Sequence, residues 1–446
     1  MSILIKNGMI INEGLSFTGS LLLVNDRISA IYNENDSLPV ADETIDAEGL
    51  IVVPGVIDDQ VHFREPGNAN KGNINSESAA AVLGGVTSYM DMPNNIPPAT
   101  TKSALEIKNC IASKSSYANW SFYLGANNDN YSDYIDANPR EICGLKVFMG
   151  SSTGNLLVDN PDSLEKIFSD SPLLIATHCE EESVIQNNLA KAVEKFGDEI
   201  PFVEHKNIRS REACILSTKK AINLALKYNS RLHILHISTA EEIELIREAQ
   251  KFNPKITGEA CVHYMLLDSD SYSIMGGKMK CNPSIKEKSD KEAIIRAVKE
   301  GVIRVVATDH APHTLEEKSR NYKNTPSGLP LIQHSFQIMW DLHKAGYFSQ
   351  FDIVDRMSHS PAENFKVIER GFLRVGYFAD ILIFNPKKPD NRTTKNPAYY
   401  CGWSPFSDKS FTSSIIHTFV NGVQVVKDGA LTGQKGGMKL QFDYST

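Results

Sequence analysis

Apolar and polar positions alternate with a short period at both ends of the chain and with a mixed period in the middle. Residues 2–53 read as short strands, ILIKNGMII, SLLLVNDRISAIY and TIDAEGLIVV, with Asn7-Gly8 and Asn25-Asp26 as hairpin turns. ADILIFNP (379–386) and SSIIHTFVNGVQVVKDG (413–429) repeat the pattern near the other end, turning at Asn421-Gly422. A stretch of roughly fifty residues buries too little surface to stand alone. Both ends are therefore expected to build one small β-sandwich domain, residues 1–53 plus 370–446.

Between them, strand and helix patterns alternate. Strands are predicted at 56–63, 86–93, 120–127, 144–151, 173–180, 231–238, 256–264 and 304–313. Helical patterns intervene at 76–83, 104–112, 211–226, 240–252 and 289–298. Eight strands in alternation with helices imply parallel pairing and a closed (β/α)8 barrel over residues 54–369. An open doubly wound sheet is the competitor. No Gly-rich phosphate loop follows any of the strands, which argues against its nucleotide-binding form.

A barrel carries its chemistry at the C-terminal ends of its strands. Here those ends hold Gln60, His62 and Arg64, then Asn94, Lys146, His178, His236, His263, and finally Asp309 with His313. Residues two apart in a strand share a face, so Gln60, His62 and Arg64 should point together. His62, His178, His236 and Asp309 are nitrogen and carboxylate donors suited to Zn²⁺ or a similar divalent ion. Such an ion lowers the pKa of bound water to about 7, and Asp309 could then carry the proton as base and acid. His233, three residues before His236, falls on the opposite face and is read as structural. Lys146 is no ligand as an ammonium, and is read as ion-paired or snorkelling unless, buried and neutral, it takes up CO2 as a carbamate.

Composition narrows the partners. The 446 residues are 41% hydrophobic and 22% charged, with a net charge of -8 and no long Lys/Arg run. Neither nucleic acid nor membrane is an expected partner. Seven cysteines without a CxxC are expected to be reduced thiols in a cytoplasmic protein. The opening MSILIKNGMIINEG is too short and polar for a signal peptide or a span. Loops 150–162 and 314–328, rich in Gly, Ser and Asn, are expected to be mobile lids.

These motifs resemble a family. PGVIDDQVHFREPG, AAAVLGGVTSYMDMPNNIPP, GLKVFMGS, ATHCEE, LHILHIST, CNPSIK, VATDHAPH, SPAENF, GYFADILIF and HTFVNGVQVVKDG are similar to the cyclic amidohydrolases, and within them to the dihydroorotases. The resemblance implies that His62, Lys146, His178, His236 and Asp309 hold one or two Zn²⁺, with Lys146 carboxylated and bridging. It implies that Asp309 is the acid/base, that Arg64, Asn94 and His313 clamp a substrate carboxylate, and that Asn282, Ser327 and Gly328 contact the ring. The implied reaction is reversible hydrolysis of the small molecule dihydroorotate to N-carbamoyl-L-aspartate, in pyrimidine synthesis, by a possible homo-oligomer. Arg64 favours dihydroorotate over the uncharged substrates of dihydropyrimidinase, hydantoinase or allantoinase, because a guanidinium is the natural anchor for a carboxylate.

The chain departs from the family pattern at Gln60, where a His is usual. An amide is a poor Zn²⁺ ligand. Three readings stay open: a weak amide contact, a weak or absent first ion, or a paralogue with reduced, changed or purely structural activity. Gln333 stands where related chains commonly have an acid, and GEACVHYMLL carries one His where relatives often have a pair, so His263 is not expected as a ligand.

Overall fold

The computed structural model describes residues 1–150 and 155–444. Its two ends meet in a nine-stranded sheet. The strands Ala430–Leu431, Val423–Lys427, Ser414–Val420, Ile381–Asn385, Ile51–Pro54, Ser2–Asn12, Leu15–Val24 and Arg27–Asn33 lie in that order, and Glu43–Asp46 pairs with Ser2–Asn12. Asn421-Gly422 and Asn25 form turns with positive φ, as hairpins of this kind require. Asn7-Gly8 does not turn the chain. It sits in a register shift between Ile5 and Gly8, and the strand continues to Asn12. Glu13-Gly14, at φ 49° and 73°, makes the turn instead. A left-handed Asn followed by Gly serves a bulge as well as a turn, so the dipeptide alone cannot decide.

Ile51–Pro54 lies in the middle of this sheet, and the chain passes from it directly into the barrel at Gly55. A Cβ on Gly55 would stand 2.1 Å from Thr87 Oγ1, so only glycine allows the two strands to part so closely. Eight parallel positions follow: Val56–Val61, Val86–Asp91, Asn119–Phe122 with Leu124–Gly125, Leu145–Phe148, Ile175–His178, Leu232–Ile234, Ile256–Cys261 and Val305–Ala307. The first strand meets the eighth through a parallel bridge, Val61 to His310, and through His62 N donating to His310 O at 2.7 Å. The result is a closed (β/α)8 barrel beside a β-rich unit made from both chain ends.

Outward-facing residues of the strands, such as Val56, Val86, Val147, Ile175 and Ile234, join the helices in the main core. A second core, with Ile57, Met90, Tyr123, Ala176 and Leu235, is plugged by Phe365. The predicted seventh strand is shorter than expected. It ends at Cys261, and His263 lies on a short helix, Val262–Leu266. Of the expected lids, loop 150–162 falls partly outside the described residues. Loop 314–328 is pinned rather than free: Lys318 Nζ, buried, donates to the carbonyls of Lys280, Pro326 and Gly328 at 2.8–2.9 Å.

A buried polar network joins sheet to barrel. Arg370 pairs with Asp380 and donates to Asn421 Oδ1 at 2.7 Å. Asn119 donates to Asp380 at 2.9 Å, and Asn421 Nδ2 donates to Asn119 at 2.6 Å. Removing one partner of a buried pair leaves an uncompensated charge. Asp380→Ala is expected to lower stability by about 3–5 kcal/mol, read as a fall in the urea midpoint. An unchanged midpoint would show the network to be dispensable.

Candidate active site

The strand ends converge on one cavity of about 640 Å³. Gln60, His62, Arg64, Asn94, Lys146, His178, His236, Asn282, Asp309, His313, Ser327 and Gly328 all line it. Backbone geometry aims three of these inward. Arg64, His236 and Asp309 have φ of 69°, 41° and 50°, left-handed values that cost non-glycine residues about 1–2 kcal/mol each. Each sits just past a strand, where the turn throws the side chain over the barrel mouth. The turn at His236 also breaks the alternation that placed His233 on the opposite face. His233 lies within the barrel, its ring 5.4 Å from Phe365 and its Nε2 3.1 Å from Asp59.

Two pairs of donor atoms face each other across the cavity. His178 Nδ1 stands 3.0 Å from His236 Nε2, and His62 Nε2 stands 3.0 Å from Asp309 Oδ1. Other bonds orient both first-named rings. His178 Nε2 meets Glu180 at 2.8 Å, and His62 Nδ1 donates to Asn94 Oδ1 at 2.7 Å. That leaves one lone pair of each ring for the cavity. Burial pushes His178 and His236 below the usual imidazole range, so both are neutral. Burial also pushes Lys146 down to about 8.

Gln60 is fully inside. Its amide nitrogen donates to Asp309 Oδ1 at 3.1 Å, while its oxygen lies 4.0 Å from Cys261 Sγ. Gln60 therefore braces Asp309 rather than presenting an oxygen beside it.

The opposite part of the cavity is cationic. Arg64 Nε donates to Pro312 O at 3.0 Å and its Nη2 meets His313 Nε2 at 3.0 Å. Lys71 stands 3.3 Å from His313 Nδ1 and 2.8 Å from Glu317. Burial, then the charge of Arg64, push His313 down to about 3, so the ring is neutral between two cations. Asn94 has its oxygen engaged by His62 and keeps its amide protons for a ligand.

Several groups escaped the sequence reading. Glu180, two positions after His178, was detectable by strand alternation; Arg209 carried no signal. Arg209 Nε lies 3.1 Å from both Glu180 oxygens, and its guanidinium overcomes burial to hold Glu180 well below the carboxylate range. Lys280 and Tyr322 also line the cavity. His263 does not. It is buried, and neither ring nitrogen has a hydrogen bond. Gln333 is also remote: its amide oxygen accepts from Ala398 N at 2.8 Å.

Comparison with known proteins identifies the family. The sequence model of the amidohydrolase family matches residues 51–425. The chain belongs to the amidohydrolase family. Among similar curated sequences is a dihydroorotase of Bacillus pumilus, 30% identical over 97% of this chain and 100% of that one. Another is a dihydroorotase of Methanosphaera stadtmanae, 30% identical over 87% of this chain and 88% of that one. Similar solved structures include the L-hydantoinase (dihydropyrimidinase) of Arthrobacter aurescens, with TM-score 0.93, 24% identity and coverage of 98% and 99%. A D-hydantoinase from a Bacillus sp. has TM-score 0.88, 26% identity and full coverage of both chains.

As an amidohydrolase, the protein is a metal-dependent hydrolase of cyclic amides. Its donor set fits a divalent ion. The lone pairs of His178 and His236 converge, and His236 Nδ1 is buried without a hydrogen bond. Neutral imidazoles and a carboxylate are the ligand types such ions take. Glu180→Gln should weaken zinc retention 10- to 100-fold, roughly the effect of losing a group that orients a ligand. Chelator competition measures it, and unchanged retention would leave Glu180 a purely structural partner of Arg209. No helix among the described residues is long and apolar enough to cross a membrane.

Proposed function

We propose that the protein is a dihydroorotase, hydrolysing the cyclic amide of dihydroorotate reversibly to N-carbamoyl-L-aspartate. The observation that carries this reading is the half-buried Arg64 guanidinium beside neutral His313 at one end of the cavity. A carboxylate on the substrate would answer that charge, and a fork of guanidinium protons suits it. The names of the sequence relatives support the same substrate.

In this reading His62, Lys146, His178, His236 and Asp309 hold Zn²⁺, with Lys146 carboxylated. When bound there, such an ion would lower the pKa of a coordinated water to about 7 and would act as a Lewis acid toward a carbonyl. The chain does the rest. Arg64, the Asn94 amide and His313 grip the carboxylate and fix the ring, while Asn282 and the backbone at Ser327 and Gly328 touch its other edge. Asp309, braced by Gln60, takes the proton of the attacking water. It returns that proton to the ring nitrogen as the C–N bond breaks. Gln60 thus keeps a working site in spite of the missing imidazole.

The solved neighbours, named hydantoinases, favour a second reading in which the ring lacks a carboxylate. Turnover of dihydroorotate and dihydrouracil on one preparation separates the two. Faster turnover of dihydrouracil would replace dihydroorotate as substrate, and no turnover of either by zinc-loaded protein would make the chain a non-catalytic paralogue. Arg64→Ala is expected to raise KM for dihydroorotate about 10- to 100-fold, the value of a charged hydrogen bond, with metal content unchanged. Equal loss of metal and affinity would remove Arg64 from the clamp. Protein stripped of metal in CO2-free buffer should regain its full zinc content only when bicarbonate accompanies the metal. Full reloading without it would leave Lys146 unmodified.

A further inference from the structure

Deeper in the barrel than the cavity, three ionisable side chains meet. Asp59 comes from Val56–Val61, His233 from Leu232–Ile234 and Glu259 from Ile256–Cys261. None of them lines the cavity, and all three are fully buried. One nitrogen and two carboxylate oxygens lie within 4.8 Å of one another. His233 Nε2 is 3.1 Å from Asp59 Oδ2 and 3.7 Å from Glu259 Oε2.

His233 faces both carboxylates as an ion pair and they push its imidazole up to about 9 against burial, yet well-formed hydrogen bonds are missing from this cluster. Both oxygens of Asp59, Oε2 of Glu259 and Nε2 of His233 are buried with no hydrogen-bond partner. The 3.1 Å approach is close enough for a bond but wrongly angled for one. A buried carboxylate without donors is costly. The far sides of the other two groups are held. His233 Nδ1 is engaged by Thr257 Oγ1 at 2.8 Å and the Asn364 amide at 3.2 Å. Glu259 Oε1 accepts from His236 N at 3.2 Å and Cys261 Sγ at 3.1 Å. Each is oriented from behind, with its remaining polar atom turned to the point that Asp59 also faces. Ligands of a metal are arranged in this way.

The distances suit an ion. Donors about 2.0–2.2 Å from a tetrahedral centre stand roughly 3.4 Å apart, and the two observed separations bracket that value. The charges suit it once the ion displaces the proton that the carboxylates hold on His233: two carboxylates and the resulting neutral imidazole then sum to the charge a divalent cation cancels. A nitrogen donor among oxygens favours a transition ion such as Zn²⁺ over Mg²⁺ or Ca²⁺.

We propose that Asp59, His233 and Glu259 form a structural site for a divalent transition ion, sharing no ligand with the one built on His62, Lys146, His178, His236 and Asp309. The ion ties the first, sixth and seventh barrel strands together. Through Glu259 Oε1 it also steadies the backbone turn that presents His236. The inference is independent of which cyclic amide the enzyme hydrolyses.

The test uses the whole protein, loaded with Zn²⁺ and freed of loose metal. Metal per chain is measured for the wild type, for Asp59→Asn and for a His178→Ala, His236→Ala variant. Asp59→Asn is expected to lose one equivalent, and the double variant is expected to keep that equivalent while losing others. Equal metal in Asp59→Asn and wild type would overturn the proposal. Should Asp59→Asn fail to fold, anomalous diffraction from zinc-loaded wild-type crystals decides. A peak between Asp59, His233 and Glu259 supports the site, and a map with peaks only among the cavity residues overturns it.

Discussion

Everything at the mouth of this barrel depends on the seam where the first strand closes on the eighth. Asp58 fastens it from below, accepting from Thr308 N at 3.2 Å and from Thr308 Oγ1 at 2.6 Å. His310 fastens it from outside. Its Nε2 meets buried Glu77 at 2.9 Å, and its Nδ1 accepts from Leu331 N at 2.9 Å. With the seam shut, His62 and Gln60 come within hydrogen-bond reach of Asp309, and Arg64 within reach of His313. Residues some 250 positions apart thus become one site. An open sheet with the same strands would separate those pairs across its two edges.

Most imidazoles at the closed mouth are also buried, and burial sets their protonation states. Burial keeps His178, His236 and His313 neutral and brings Lys146 toward neutrality. Neutral imidazoles can donate lone pairs to a cation, while charged ones would repel it. Where a charge is kept, a partner is supplied, as Arg209 is for Glu180. The cavity therefore divides into an end rich in lone pairs and an end rich in fixed positive charge. That polarity is what a ring carrying both an amide and a carboxylate would meet.

Gln60 brings a donor rather than a lone pair to this end of the cavity. Its amide nitrogen does for Asp309 what a bound ion would do for the same oxygen: it fixes the carboxylate and offsets part of its charge. One residue earlier, Asp59 turns into the barrel toward His233 and Glu259. The strand Val56–Val61 shifts register against its neighbour between Asp58 and Val61, and this irregularity lets consecutive residues serve different clusters.

The sequence by itself determined the barrel, the β-structure from both ends and, His263 apart, the set of strand-end residues that line the cavity. Those features rest on local periods and on the rule that short parallel strands need helical crossovers, both readable without coordinates. His62, Lys146, His178, His236 and Asp309 were legible because each ends a strand pattern. Tertiary structure alone decided what faces what. Asn7-Gly8 became a bulge because its strand was needed on both sides of it, paired to Leu15–Val24. His233 entered the barrel because a left-handed turn at His236 reset the alternation, and backbone dihedrals past a strand end follow from packing rather than composition. Arg209, Lys71 and Glu317 reached the site from loops and helices rather than from strand ends. No period marks such residues, since their positions are set by where the closed barrel leaves a charge to be answered.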